Sequence, residues 1–244
     1  MSALRPELWK IPLVDSEVLA GLAHKQESLI NRIQRISQRH RHVKFASSLA
    51  VEDLVIMDVI LRHAMPIQIF SLETGRLNKE TLALIDQLAH YYPKLQLSLF
   101  YPNQEAVQQY EQNHGAFAFY ESVELRRQCC FIRKIEPLNR ALADADAWLT
   151  GQRREQSITR SELTFQEHDS ARHIAKYNPI FDWSEQDVWG YVLQNNLPFN
   201  ALYHQGYPSI GCEPCTKPVH ANEDIRAGRW WWENQDSKEC GLHK

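Results

Sequence analysis

Apolar residues recur every three or four positions near the start of the chain. From Asp15 or Ser16 this spacing continues to Ile36, and a polar run from Gln38 to His42 follows. An apolar stripe of this period is typical of an amphipathic helix. The pattern therefore predicts a helical segment at the N-terminus.

Short apolar runs and helical patterns alternate over the following residues. Strands are predicted at 43–46, 67–71, 95–100 and 147–150, and helices at 52–63, 78–91, 104–113, 129–142 and 184–194. Strands that alternate with helices predict an α/β fold with a parallel sheet and right-handed crossovers. Ligands in such folds bind at the carboxyl ends of the strands, so we expect the site in loops 47–53, 72–76 and 151–154.

Composition narrows the class of protein. The chain has 244 residues, of which 43% are hydrophobic, and a formal net charge of −3. It can bury the core of one α/β domain, and it lacks the broad cationic character expected of a nucleic-acid-binding protein. No stretch approaches the ~18 apolar residues of a membrane span, and the N-terminus does not resemble a signal peptide. We therefore expect a cytoplasmic protein with neither nucleic acid nor membrane as a partner.

Four of the five cysteines form two local pairs, Cys129 with Cys130 and Cys212 with Cys215. Two pairs can make one four-thiolate site, which suits zinc or an iron-sulfur cluster. Adjacent cysteines favour a cluster over a single zinc ion. Neighbouring side chains diverge, so they reach the separate iron atoms of a cluster more easily than they reach one ion. Two alternatives stay open at this point: an ordinary buried cysteine pair on a helix, and a redox dithiol in the second pair.

Cys240 stands apart in a polar tail. A lone terminal cysteine is usually a solvated bystander. Here Lys238 and His243 favour the thiolate, and Gly241 lets the backbone bend. Cys240 is therefore a candidate nucleophile.

A thiolate that attacks an anionic sulfuryl or phosphoryl group needs fixed cations nearby. Lys134, Arg226 and Arg229 are the candidates because they lie close in sequence to the thiols. The alternatives are that Arg133 and Lys134 form the solvated face of a helix, and that Arg229 stacks on the tryptophans at 230–232.

Ser47 and Ser48 follow the first predicted strand and open a helix. Hydroxyl and backbone N–H groups in such a turn can receive an anion, although a plain helix cap is the simpler interpretation. The chain contains neither GxxxxGK[ST] nor GxGxxG, so the common triphosphate and dinucleotide motifs are absent.

Several motifs together resemble one enzyme family. They are the Cys-Cys motif with residues 131–138, Gly151-Gln152-Arg153-Arg154, Gly211-Cys212-Glu213-Pro214-Cys215, Gly228-Arg229-Trp230-Trp231-Trp232 and Lys238-Glu239-Cys240-Gly241-Leu242-His243. This ordered set resembles the assimilatory, thioredoxin-dependent adenylyl-sulfate (APS) reductases of the phosphoadenylyl-sulfate reductase family. The similarity runs from about Phe45 to the C-terminus.

The resemblance implies a fold, a cofactor and partners. The fold is an adenine nucleotide α-hydrolase-like domain of the PP-loop type at 43–200, with the helical segment at 1–42 before it and the second cysteine pair and catalytic tail at 201–244. A 4Fe-4S cluster is implied on Cys129, Cys130, Cys212 and Cys215, with Cys240 as nucleophile. Thioredoxin or a glutaredoxin-like donor is the implied partner, and relatives form homo-oligomers.

The resemblance also implies substrate contacts. They are Ser47, Ser48, Leu72, Thr74, Gly75, Arg76, Lys134, Gly151, Arg160, Arg226, Arg229 and His243. The sequence departs from the usual family pattern at two places. Residues 48–51 replace a turn that contains glycine, and Glu73 replaces aspartate.

The implied reaction reduces APS to sulfite and AMP through an S-sulfocysteine on Cys240. Reduction of 3′-phosphoadenylyl sulfate (PAPS) is a rival reaction, but relatives that use PAPS generally lack the four-cysteine set. Two further hypotheses stay open: a PP-loop enzyme that activates a nucleic-acid base, and a zinc-stabilised binding module without catalysis.

Overall fold

The chain is built around a six-stranded sheet, and its computed structural model describes residues 6–157, 160–234 and 241. The strands are β1 Val43–Ala46, β2 Gln68–Leu72, β3 Leu97–Phe100, β4 Ala147–Leu149, β5 Gln166–Asp169 and β6 Ile174–Tyr177. The α-helices are α1 Ser16–Arg39, α2 Val51–Arg62, α3 Lys79–Tyr91, α4 Gln104–His114, α5 Val123–Cys130, α6 Glu136–Ala141 and α7 Glu185–Gln194. A π-helical turn, Phe131–Ile135, joins α5 to α6.

The strand order is β3-β2-β1-β4-β6-β5. All neighbouring pairs are parallel except β5 with β6. The expectation of an α/β fold with a parallel sheet is therefore confirmed. Because β1 lies between β2 and β4, the loops that leave these three strands meet at one edge of the sheet.

The main core lies between this sheet and the helices around it. Helix α1 buries Leu22, Leu29, Ile33 and Ile36, which belong to the same apolar cluster as Phe45 of β1. Helix α7 is capped by Ser184, whose side chain accepts from the N–H of Asp187. Local periodicity and tertiary packing agree in these elements.

Two strands were missed by the sequence pattern. Strand β5 carries the polar run Gln166 to Asp169 at the edge of the sheet, and β6 pairs with it over only four residues. An edge strand exposes much of its surface, so it lacks the apolar run that marks a central strand. The predicted helix at 129–142 starts earlier, at Val123, and contains the π-helical turn.

The segment before α1 packs across the C-terminal region. Leu8 and His220 form an antiparallel bridge, and the N–H of Trp9 donates to the carbonyl of Val219 at 2.9 Å. Within the described part of the chain, no helix is both long enough and apolar enough to span a bilayer.

Candidate functional site

A cavity of about 230 Å³ opens at the carboxyl edge of the sheet. Ser47 and Ser48 reach it from the end of β1, Leu72 and Thr74 from the end of β2, and Gly151 from the end of β4. The three loops that the fold class pointed to therefore line one space.

Most of the predicted substrate contacts surround this cavity. The lining includes Ser47, Ser48, Leu72, Thr74, Lys134, Gly151, Arg160, Arg226 and Arg229. Arg76 instead lies beside the cysteines, and Gly75 lies against the guanidinium of Arg133. Cys240 and His243 fall outside the described residues.

The turn after β1 is closed by a carboxylate of the chain itself. The N–H and the hydroxyl of Ser48 donate to Asp53 Oδ2 at 2.5 and 2.6 Å. Helix α2 has Ala50 as its N-cap without a side-chain cap hydrogen bond, so the plain-cap interpretation of the serines is wrong. Leu49 has a φ of 64°, a conformation that favours glycine, and its side chain is buried in the core.

Two adjacent acidic residues lie behind this turn in different electrostatic settings. Glu52 accepts from Arg153 Nη2 at 2.8 Å, and both side chains are buried. Burial, with help from the nearby Glu52, raises the pKa of Asp53 to about 7 although Ser48 and the Gly151 N–H donate to it. Gly151 has no room for a side chain, because a Cβ there would lie 2.1 Å from Asp53 Oδ1.

Arginines form another part of the cavity wall. The guanidinium of Arg229 lies 4.8 Å from the ring centroid of Trp230 and donates to the carbonyl of Ile210 at 3.2 Å. Gly211 lies directly beneath it, and a Cβ at that position would come within 2.3 Å of Arg229 Nη2. Arg229 therefore stacks on tryptophan and also lines the cavity, so the two interpretations of this residue are compatible.

The two cysteine pairs meet in a second, smaller pocket. Cys129, Cys130, Cys212 and Cys215 are all buried, and all four line it. The two segments are joined through loop 72–77, because Leu77 bridges to Cys212 and the N–H of Glu213 donates to the carbonyl of Arg76 at 2.8 Å. Thr74 Oγ1 lies 3.3 Å from Cys212 Sγ.

Buried and half-buried cations surround the thiols. Arg76 and Arg133 both donate to Glu111, at 3.0 and 2.8 Å, and Arg133 also donates to the carbonyl of Thr74. Arg133 is only 6% exposed, so its interpretation as a solvated helix face is wrong. Arg126 lies in the same pocket and pairs with Glu233 at 2.7 Å.

Two of the thiols, Cys129 and Cys215, lie in a setting that disfavours their ionisation. Burial raises the pKa of Cys129, and burial with the neighbouring Cys212 raises that of Cys215 to about 12. Lys134 opposes the shift of Cys215. Across residues 6–157, 160–234 and 241, no group of three or more His, Cys, Asp or Glu side chains is placed to hold one metal ion.

The cavity and the cysteine pocket share a wall. Lys134, Cys212 and Trp230 line both spaces. Lys134 lies on the π-helical turn directly after Cys130, and such turns are rare and frequently occur at functional sites. One lysine therefore adjoins both the cavity and the thiols.

The Arg126–Glu233 pair allows a stability prediction. Their side chains are 0% and 2% exposed, so Glu233→Gln leaves the guanidinium without its carboxylate partner in the interior. We expect Glu233→Gln to lower the free energy of unfolding by about 3 kcal/mol, measured by anaerobic urea denaturation. The double variant Arg126→Met/Glu233→Met should lose less, because it removes both charges of the pair and leaves neither Arg126 nor Glu233 without its partner. A double variant less stable than Glu233→Gln would contradict this account.

Comparison with known proteins gives consistent matches. The sequence profile of the phosphoadenosine phosphosulfate reductase domain matches residues 42–218. The adenosine 5′-phosphosulfate reductase of Neisseria meningitidis serogroup A is 59% identical over 244 residues, which is the whole of both chains.

Solved structures share the fold at low sequence identity. The phosphoadenylyl-sulfate (PAPS) reductase from Candida auris, in its phosphate complex, superimposes with a TM-score of 0.67 at 24% identity, over 85% of this chain and all of the other. The FMN adenylyltransferase of Candida glabrata, in complex with FAD and inorganic pyrophosphate, gives 0.60 at 14% identity, over 93% and 80% of the two chains. The expected PP-loop type of fold is therefore confirmed.

Proposed function

The chain belongs to the phosphoadenosine phosphosulfate reductase domain family and is an oxidoreductase that acts on a sulfur group, and we propose that it reduces APS to sulfite and AMP. Full-length similarity to a protein named adenosine 5′-phosphosulfate reductase supports the choice of the unphosphorylated nucleotide. The wider role is the assimilation of sulfate for cysteine biosynthesis.

The wall shared by the two spaces is the observation that carries this proposal. A substrate anion in the cavity would meet Lys134, Arg226 and Arg229 on one side and the serine turn on the other. These cations can neutralise both the attacked sulfate group and the departing AMP phosphate. Lys134 also adjoins the thiols of the smaller pocket, so a group held by those thiols would lie next to it.

Cys240 is the proposed nucleophile. Its thiolate attacks the substrate sulfur, a sulfur–sulfur bond forms, the bond from sulfur to the bridging oxygen breaks, and AMP leaves with the electron pair. Gly241, the residue that follows, has a φ of 77°, and a Cβ there would lie 3.4 Å from Ile135 Cδ1, next to Lys134 in sequence. This position of Gly241 supports delivery of the tail to the cavity.

A dithiol donor completes the proposed reaction. One thiolate of thioredoxin, or of a glutaredoxin-like protein, attacks Cys240 sulfur and releases sulfite, and the second donor thiol resolves the mixed disulfide. The two electrons that convert sulfate sulfur to sulfite come from the donor, which leaves as a disulfide. Homo-oligomer formation and the segment boundaries at 42 and 200 stay predictions.

The cysteine pocket fits the 4Fe-4S cluster that the family resemblance implies. Four thiols from two segments face one enclosed space, and Arg76, Arg126 and Arg133 provide positive charge around it. Cys129, Cys130, Cys212 and Cys215 would hold the cluster, and Thr74 adjoins one of these sulfurs. Bound there, the cluster would supply fixed negative charge that orients Lys134. The residues that line the larger cavity would position the substrate and shield it from water.

A direct assay separates the candidate reactions. We expect the anaerobically purified protein, given APS and reduced thioredoxin, to release sulfite and AMP in equal amounts. PAPS should be a much poorer substrate in the same assay. Faster turnover of PAPS would favour the phosphorylated nucleotide as substrate. Zinc without iron or sulfide, together with no sulfite from either substrate, would favour a binding module.

A further inference from the structure

Asp53 lines the cavity in which the proposed substrate would bind. Its carboxylate lines the cavity, is only 5% exposed, and accepts from both polar groups of Ser48. Gly151, from the end of β4, packs against its other oxygen. The hydrogen-bond donors of the turn after β1 are thus occupied by a carboxylate of the chain itself.

No cation is among the largest influences on Asp53. Glu52 on the same helix is also acidic, and Arg153 is engaged by that carboxylate. Tyr203, in the segment Ala201–Gln205, lies near Asp53. Burial raises the pKa of its hydroxyl, so this side chain is neutral. The cations that line the cavity are Lys134, Arg160, Arg226 and Arg229, and none of them is among the largest influences on Asp53.

Two negative groups that share a buried site cannot both remain ionised without a large cost. We propose that Asp53 is a proton-coupled positioning residue that takes up a proton from solvent when the phosphosulfate of APS enters the cavity. This inference rests on the proposed function. The protonated carboxyl keeps one oxygen as acceptor for Ser48 and gains an O–H that can donate to a substrate oxygen. Repulsion is thereby replaced by a hydrogen bond.

The pH dependence follows from the direction of the shift. The pKa of Asp53 in the free protein is about 7, and a bound anion raises it further. Affinity for APS is therefore constant well below pH 7 and falls as the pH rises above that value, by up to about tenfold per unit. An asparagine side chain cannot ionise, so the affinity of the Asp53→Asn variant should not show this fall.

Calorimetry measures the proton directly. The experiment titrates APS into the full-length Cys240→Ser variant, which should not turn over, at pH 7.5 in two buffers of different ionisation enthalpy. We use APS because, unlike AMP, it carries no second phosphate proton that dissociates near neutral pH. With a free pKa of about 7, roughly three quarters of a proton should be taken up per APS bound.

Two variants and a second readout identify the proton acceptor. Asp53→Asn in the Cys240→Ser background should reduce the uptake to near zero, whereas Asp144→Asn, a surface change at the opposite end of β4, should leave it unchanged. Infrared difference spectra should show a protonated carboxyl band on APS binding that Asp53→Asn lacks. The band also reports on Asp53 if the asparagine variant folds poorly.

The outcomes separate this inference from the proposed function. APS binding without proton uptake and without the carboxyl band, or with an uptake that Asp53→Asn retains, would overturn the role of Asp53 alone. Failure of the Cys240→Ser protein and of the unmodified protein to bind APS at all would overturn the proposed function as well.

Discussion

Replacement of Cys240 by serine is expected to reduce sulfite formation from APS by more than about a thousandfold. A serine hydroxyl is a poor nucleophile without an adjacent base, so the sulfur–sulfur bond of the proposed intermediate cannot form. Binding should persist, because the cavity walls are built by Ser48, Gly151, Arg229 and their neighbours. Sulfite release is measured at saturating APS with reduced thioredoxin, and APS affinity by calorimetry.

A matched control tests whether the position of the thiol matters. Ser237→Cys in the Cys240→Ser background returns one thiol to the tail, three residues away. We expect no recovery of sulfite formation, because the attacking sulfur must lie in line with the departing AMP. Ser237→Ala alone should behave as the unmodified protein. Rescue by the displaced cysteine would indicate that a thiol anywhere in the tail is sufficient for the reaction.

Replacement of Cys212 by alanine is the second change with a large expected effect. Cys212 lines both the cavity and the cysteine pocket, so its loss removes a proposed cluster ligand and disturbs the wall next to Lys134. We expect the iron and sulfide content and the visible absorption to fall to near background. Sulfite formation should fall by more than about a hundredfold, because Lys134 loses the proposed cluster that would orient it.

Thr74→Val is the control for the cysteine change. It retains all four thiols and removes only the hydroxyl that lies 3.3 Å from Cys212 Sγ. Iron content should stay near that of the unmodified protein, while the reduction potential of the cluster shifts. Cys212→Ala protein with full iron content, or Thr74→Val protein without iron, would contradict the assignment of ligands.

Sequence periodicity predicted the central strands and their crossover helices. Strands β1, β2 and β4 are short apolar runs between recognisable helices, so their pairing in a parallel sheet follows from general rules. The loops that carry Ser47 and Gly151 could then be placed at one edge without the structure. Strand β5 was not predictable in the same way, because its residues are polar and it lies at the edge.

The pairing of distant charges could not be predicted from the sequence. Arg126 and Glu233 are separated by 107 positions and belong to no local motif. Asp53 is an acidic residue in the first turn of a helix, where the helix dipole alone accounts for such residues. Its contact with Ser48 depends on the left-handed conformation of Leu49, which a leucine in the sequence does not predict.

In the proposed reaction the substrate sulfur becomes bonded to Cys240 before it is released as sulfite. This step can be observed by mixing the anaerobic protein with APS labelled in its sulfur, without any thiol donor, and locating the label by mass spectrometry of peptides. We expect one labelled sulfonate on Cys240 for each AMP released, and its discharge as sulfite when reduced thioredoxin is added. Release of AMP and sulfite with Cys240 unlabelled, or the label on another cysteine, would contradict the proposed reaction.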